Sequence, residues 1–587
     1  MPTETTRPNI LFILTDDQGW DDCSLHGNTI LQTPAIDRLG RTSARFDNYY
    51  VAAVCAPTRA SLLTGRHFLR TGVSHVHGGK DFVHPDEIMI GQLFQQAGYA
   101  TGMWGKWHSG NTEGYFPWER GFDEAYMAQL YRHRDSRGRF NGEPRSHSGW
   151  TVDTLTDYCI DFIDRHNDGP WFAFLPHLAP HAPLQAPEGL IEHYRSRGCS
   201  RALATVYAMV HQIDASVDRL LRALDERGLG ADTIVCFQSD NGPAVLDDVL
   251  TDDDRRQRYV TAYKGHKGDS WENGIRSPLF MRWPRSFPAR RIAGLADVCD
   301  ILPTLCDCCG IEIPADHPRL DGRSIRSWCM GMDTDLGPKE SWLWVHPGWP
   351  PHPDRPYRPE GYFDEYRPVP PEEKVRLAAD TQVAGLRVSG WKFMQHPGCH
   401  GDRPAADTEG NVLIAIDEDP LEDRNLAVSE ADRCTDMRRR TAAWFTEVLA
   451  EPHSFHAPRF ILDEQPCTIP AKCCGRIDGA VRNTVPAVLH WTRPGEAVSY
   501  HLAVRSTRAW RISLDYTCGP RTGRIRLSTG TTAADLDLDQ AVCSAVDGFR
   551  IDPSVDTIRV ELIAAGPGSG TVLERLDCPR FEPLHTS

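Results

Sequence analysis

The run "NILFIL" at residues 9–14 is a continuous apolar stretch that ends on "TDD". A strand with one wet face alternates in polarity. A continuous run belongs to a strand covered on both faces, as in parallel sheets flanked by helices. The signal recurs in "WFAFL" (171–175) and "DTIVCFQSDNG" (232–242), while "IGQLFQQAGYATGMWGKWH" (90–108) reads as helix, glycine stop, strand and loop. Amphipathic stretches lie between: "TPAIDRLGRTSARF" (33–46) with Pro34 near its start, "DTLTDYCIDFIDRHN" (153–167) with an aspartate cap, and "LATVYAMVHQIDASVDRLLRALDERG" (203–228), ending at glycine. This rhythm over residues 1–340 predicts an α/β domain, a large and mostly parallel sheet sandwiched by helices. Such sheets place their sites at the carboxyl ends of strands.

The remaining residues change texture twice. Residues 343–372 are rich in Pro, Trp and Arg and read as a long irregular insertion. After it, "VAGLRVSGWKFMQ" and "VLIAIDEDPLEDRNLA" predict a small antiparallel sheet, followed by the helix "TDMRRRTAAWFTEVLAE" (435–451). Residues 341–455 therefore read as a smaller C-terminal subdomain. From 456 to 587 short alternating segments such as "AVSYHLAV", "AWRISLDYTC", "GRIRLSTG" and "DTIRVELIAA" predict an accessory all-β sandwich.

A net charge of -16 argues against a nucleic-acid partner. No stretch reaches the ~20 apolar residues of a membrane span. The first residues lack the basic start and long apolar core of a secretory signal. Cys306, Cys308 and Cys309 in "DILPTLCDCCG" stand where a helix wants small apolar residues, and read as buried free thiols. Cysteine usage of this kind predicts a reduced, cytoplasmic setting.

Several polar groups fall at predicted strand ends. Asp16 and Asp17 end the first strand, and two adjacent buried carboxylates need a cation. Asp240 and Asn241 in "SDNG" add oxygen ligands at the same sheet edge. Four such side chains suit a hard cation, Ca²⁺ or Mg²⁺, and not zinc. "CAPTRASLLTGR" (55–66) begins a helix with Cys55, where backbone amides favour an anion, and Arg59 follows one turn later on the same face. A hard metal there suits an oxygen nucleophile better than sulfur. Lys106 and His108 of "GKWH", His177 and His181 of "LPHLAPHAPLQAP", and Lys264 and Lys267 of "YKGHKGDSWENGIRSPLF" offer cations and proton carriers around that edge.

Taken in order, "PNILFILTDDQGWDD", "CAPTRASLLTGR", "GKWH", "APHAPLQAP", "SDNG" and "KGDSWENGIRSPLF" resemble the motif series of the type I sulfatases, arylsulfatase A-like members of the alkaline phosphatase superfamily. The likeness runs over about residues 8–330 and extends to about 450 through "IDEDPLEDRNLA"; the sandwich lies outside it. The resemblance implies that Cys55, in a Cys-x-Pro-x-Arg motif, is converted to formylglycine by a formylglycine-generating enzyme. It implies that Asp16, Asp17, Asp240 and Asn241 hold the divalent ion together with the formylglycine oxygen at position 55. Arg59 and Lys106 then steady the nucleophile and the sulfate charge. His181 or Lys267 serves the leaving oxygen, and His108 is the base that releases sulfate.

Substrate choice is left to loops. "SHVHGGKD" (74–81), "YRHRDSRGRF" (131–140) and "VHPGWPPHPDRPYR" (345–358) are candidates for the mouth, with His75, His77 and His346 among them and His177 and Lys264 as further substrate contacts. An Arg- and Trp-rich rim suits a sugar carrying anionic groups. The expected partner is thus a small-molecule or oligosaccharide sulfate ester. Phosphonate monoester or phosphodiester hydrolysis is the rival reaction, and a non-catalytic sulfoglycan-binding protein the rival of another class. For the sandwich, glycan binding, cleft shaping and oligomerisation all stay open.

Overall fold

Strand β1 (Asn9–Thr15) is buried along its whole length and runs through the middle of a ten-stranded sheet. The computed structural model describes residues 7–244, 249–332, 334–346, 368–398, 402–483, 487–538 and 543–584. The other strands are β2 (Ala44–Phe46), β3 (Ala100–Gly105), β4 (Glu124–Ala128), β5 (Arg137–Phe140), β6 (Glu143–Ser146), β7 (Trp171–Pro176), β8 (Thr233–Ser239), β9 (Leu279–Arg282) and β10 (Arg290–Ile292). Across the sheet the order is β10-β2-β9-β8-β1-β7-β3-β4-β5-β6. The central strands β8, β1, β7, β3 and β4 are all parallel. Antiparallel pairing enters at β9 on one side and at the β5–β6 hairpin on the other. That hairpin turns on Asn141 and Gly142, both at positive φ, as a two-residue turn demands.

The pleat of β1 sorts its side chains between two helical layers. Ile10, Phe12 and Leu14 join the core under α2 (Cys55–Thr64) and α3 (Ile90–Gln96). Leu11 and Ile13 join the opposite core. That core is covered by α1 (Pro34–Arg41), α4 (Thr151–Arg165), α5 (Glu188–Arg195) and α6 (Arg201–Glu226). Each fully buried aliphatic side chain contributes about 1.5–3 kcal/mol, so this strand is strongly fixed in register.

Two local expectations need correction. The helix expected over 33–46 stops at Arg41, because Ala44–Phe46 gains ladder bonds to both β9 and β10. Asp153 lies in the first turn of α4 and does not cap it; Trp150 holds the cap position.

The smaller subdomain is an antiparallel sheet of β11 (Ser341–Val345), β12 (Val383–Val388), β13 (Trp391–Gln395) and β14 (Asn411–Ile414). Residues 343–345, expected within the irregular insertion, form part of its edge strand, paired along β12. Residues 347–367, which hold most of the third rim stretch, lie outside the described residues. One sheet face packs on Trp271 and Ile275. The other packs on Cys434 and Met437 of the helix Ala431–Ala450. Fully buried Lys392 locks the subdomain on, 3.0 Å from Glu272 and 2.7 Å from Glu422.

The strand Arg459–Leu462 opens the C-terminal sandwich, two six-stranded sheets enclosing one apolar core. Phe82 and Tyr115 of the large domain belong to that core, so the two units share packing. Cys306, Cys308 and Cys309 are buried, and all the described cysteines are free thiols.

Candidate active site

Because β1 and β8 are adjacent and parallel, Thr15 and Ser239 finish side by side. The Asp240 amide then donates to the Thr15 carbonyl at 3.0 Å. Asp16, Asp17, Asp240 and Asn241 therefore emerge together. Asp17 takes a left-handed backbone, φ 66°, which aims its amide at Asp240 Oδ1, 3.2 Å away. Strain at such a residue is held by its surroundings and clusters at functional sites. Two glycines make the close approaches. A Cβ on Gly105 would fall 1.9 Å from the Pro176 carbonyl oxygen, and one on Gly242 1.7 Å from that of Asn273.

Each carboxylate meets its own cation. Lys106 Nζ lies 2.7 Å from Asp16 Oδ2, and Lys267 Nζ 2.6 Å from Asp17 Oδ1. Arg59 donates through Nε and Nη2 to Asp240 Oδ2 at 3.0 and 2.7 Å, and through Nη1 to the Lys106 carbonyl at 2.8 Å. Arg59 is only 1% exposed. Burial works against ionisation of Asp16, but Lys106, His181, Arg59 and Lys267 outweigh it and hold the carboxyl below its ordinary range. Burial and the neighbouring Asp16 push Asp240 up, against the pull of Arg59 and Lys106. Burial likewise disfavours the Lys106 ammonium, and Asp16 overrides it.

Cys55 is the first residue of α2, with Val54 as cap. Its Sγ lies 3.4 Å from His108 Nδ1. His108 Nε2 lies 3.1 Å from the Val76 carbonyl oxygen, which can only accept. That contact puts the ring proton on Nε2 and leaves the Nδ1 lone pair facing Cys55. Burial, then the Lys106 charge, lower the His108 pKa to about 3, so the ring is neutral near pH 7. His181 Nε2 approaches Asp17 Oδ2 at 3.5 Å from the more open side.

Three oxygens here are unsatisfied. Asp16 Oδ1, Asp17 Oδ2 and Asn241 Oδ1 are buried and accept no hydrogen bond among the described residues. Ligand atoms of Asp16, Cys55 and Asp240 lie within 4.8 Å of one another. Buried oxygens without donors, converging beside two strand ends, fit a hard divalent cation.

The structure separates the remaining histidines and lysines. His177 is no mouth residue: it is fully buried, and its Nε2 faces Ser216 of α6 at 3.3 Å. Lys264 turns away to the small subdomain and pairs with Asp423 at 2.7 Å. His75, His77 and His346 do cluster, with ring centroids 4.6 Å apart for His75–His346 and 6.1 Å for His75–His77. Two residues inside the stretches 74–81 and 131–140 are not picked out by sequence reasoning: Asp81, 3.7 Å from His108 Nε2, and Tyr131. Tyr131 is 42% exposed at φ 63°, its ring 4.8 Å from that of His181. Within 131–140, only the backbone conformation reveals which residue stands over His181.

Residues 8–311 match the sulfatase family model. An N-acetylgalactosamine-6-sulfatase of Sus scrofa is 30% identical over 352 residues, 54% of this chain and 65% of that protein. A steryl-sulfatase of Mus musculus is 28% identical over 411 residues, 54% of this chain and 64% of that protein. The chain thus spans slightly less than two thirds of either relative. The crystal structure of Ps i-CgsB in complex with k-i-k-neocarrahexaose superposes with a TM-score of 0.62 at 23% identity, over 76% of this chain and 94% of that one. At that identity the likeness is one of fold.

Proposed function

This chain belongs to the sulfatase family, and from that premise we propose that it hydrolyses sulfate monoesters of a sulfated carbohydrate to alcohol and inorganic sulfate. The observation that carries the reading is Cys55, held 3.4 Å from the free lone pair of a neutral His108 beside three unsatisfied buried oxygens. Conversion of Cys55 to formylglycine would supply a hydrated aldehyde, an oxygen nucleophile at that position. A Ca²⁺ or Mg²⁺ ion held by Asp16, Asp17, Asp240 and Asn241 would add positive charge for the sulfate oxygens.

The chain's own residues do the rest. Arg59 bridges Asp240 and the Lys106 carbonyl, so it fixes the ligand-bearing end of β8 and the Lys106 segment against the head of α2. Lys106 and Lys267 keep Asp16 and Asp17 ionised and bring two ammonium groups to the place where sulfate charge must sit. His108 accepts a proton at Nδ1 from the group at position 55, with its tautomer set by the Val76 carbonyl. His181, partly exposed beside Tyr131, stands on the side where a leaving alcohol needs a proton. A sugar substrate is supported by the sugar-directed names of one relative and one fold neighbour.

The test compares a chromogenic aryl sulfate with the matching aryl phosphonate, using protein whose aldehyde at position 55 has been verified by mass. Sulfate should be preferred at least ~10-fold, equivalent to about 1.4 kcal/mol in the transition state. Cys55→Ala should remove the activity. A preference for phosphonate overturns the reading.

A further inference from the structure

The loop that follows β4 is braced by the head of α4. The Thr151 amide donates to the His133 carbonyl at 2.8 Å, and the Thr151 hydroxyl to the Arg132 carbonyl at 2.7 Å. Asp135 and Gly149 are tied twice: the Asp135 amide donates to the Gly149 carbonyl at 2.7 Å, and Asp135 Oδ1 accepts from the Gly149 amide at 3.1 Å. The Gln129 amide closes the base of the loop on the Arg137 carbonyl at 2.7 Å. A loop bonded at this many points holds its side chains where the backbone aims them.

Tyr131 stands on that loop with φ 63°. A bulky ring in the left-handed region is uncommon and strained. Two residues of the site share that backbone, Asp17 at 66° and His108 at 56°. Packing does not offset the strain at Tyr131, because it is the most exposed Phe, Tyr or Trp among the described residues, at 42%. The fold thus holds a strained backbone that leaves an aromatic ring in water, and leaves it at the site.

Two distances tie the ring to the reaction centre. Its centroid lies 4.8 Å from that of His181, with the planes tilted by 37°. His181 Nε2 lies 3.5 Å from Asp17 Oδ2, one of the three unsatisfied oxygens. His181 Nδ1 lies 2.6 Å from the Ala182 carbonyl oxygen, which can only accept, so the proton on Nδ1 is committed there. Nε2 is therefore the nitrogen that faces the site, with Tyr131 beside it. An aromatic ring held open next to such a group suits a ligand's own ring. Its π face is negative and attracts C–H groups and aromatic edges, which a sugar or an aryl alcohol presents.

We propose that Tyr131 is the platform for the leaving alcohol: the ring of the alcohol lies against the Tyr131 ring while its ester oxygen meets His181 Nε2. Tyr131 then selects cyclic alcohols over open-chain ones and sets their orientation. The hold on the sulfate group stays with Lys106 and Lys267. This deepens the sulfate-ester reading above and rests on it.

The experiment uses protein whose aldehyde at position 55 has been verified by mass, and compares kcat/KM for 4-nitrophenyl sulfate with the inhibition constant of inorganic sulfate. Tyr131→Asn removes the ring and suits a left-handed backbone, and Tyr131→Gly frees that backbone of strain. Each should lower kcat/KM about tenfold, the size of one good aromatic contact, while the inhibition constant of sulfate moves by less than about twofold. Tyr131→Phe keeps the ring and should recover most of the loss. Inorganic sulfate carries no alcohol, so it reports on the anion pocket alone and exposes a merely structural effect. Unchanged kcat/KM in both ring-free variants, a parallel weakening of sulfate, or a loss in Tyr131→Phe equal to that in Tyr131→Asn overturns the platform and leaves the sulfatase reading standing. Failure of aldehyde-bearing wild type to hydrolyse the aryl sulfate ends both.

Discussion

Removing divalent cations should destabilise the large domain by an amount that the site itself sets. Asp16 Oδ1, Asp17 Oδ2 and Asn241 Oδ1 are buried without donors, and each such group costs about 1–3 kcal/mol. A bound cation that satisfies all three therefore has ~3–9 kcal/mol of unfavourable burial to relieve. Linkage sets the part that is observed: about 2.7 kcal/mol at a hundredfold excess over Kd and about 4.1 at a thousandfold. At roughly 2 °C per kcal/mol for a domain of this size, saturation should raise the midpoint by about 5–8 °C. The assay is thermal unfolding followed by tryptophan fluorescence, after dialysis against chelator and again with Ca²⁺ or Mg²⁺. In Asp17→Asn the gain should fall by about 1–3 kcal/mol, the share of the one unsatisfied carboxylate oxygen that is lost. Equal midpoints with and without cation refute the reasoning, as does an undiminished gain in Asp17→Asn.

Two further outcomes concern stability away from the site. Asp214 is 4% exposed, and burial raises its pKa to about 7 from an ordinary 3.8; its stabilising contribution is full below pH ~4 and is lost as pH rises through 7, with a slope near 1.4 kcal/mol per unit. Asp214→Asn keeps an acceptor for the Ala35 and Ile36 amides, so denaturant midpoints between pH 4 and 7 should lose that slope. Lys392→Met leaves Glu272 and Glu422 facing each other, both fully buried. It should cost about 3–5 kcal/mol in urea unfolding, and no loss would mean that the two acids are already neutral.

The legible parts were those carried by local signals. Continuous apolar runs located β1, β7 and β8, and the motifs at their ends located Asp16, Asp17, Asp240 and Asn241. Direction of side chains was not legible. His177 and His181 lie four residues apart after one strand, yet His177 points into the helical layer and only His181 reaches the site. Lys264 and Lys267 differ by three residues and serve different subdomains. Tyr131 owes its place over His181 to a left-handed backbone that no residue type announces. The hydrogen bonds between Tyr115 and Arg459 join the large domain to the sandwich across more than 300 residues in numbering, which no periodicity can foreshadow.

Helix α2 has a consequence for timing. All ten of its residues are buried, Cys55 at 2% exposure and Arg59 at 1%. On the reading proposed here, an enzyme that must recognise Cys55 through Arg59 as a stretch of chain has no access to it once the core has closed. Conversion and folding then compete for the same nascent segment, and a molecule that folds first keeps its thiol until it unfolds. The specific activity of a preparation would record the result of that race, and slowing the closure of α2 should raise it.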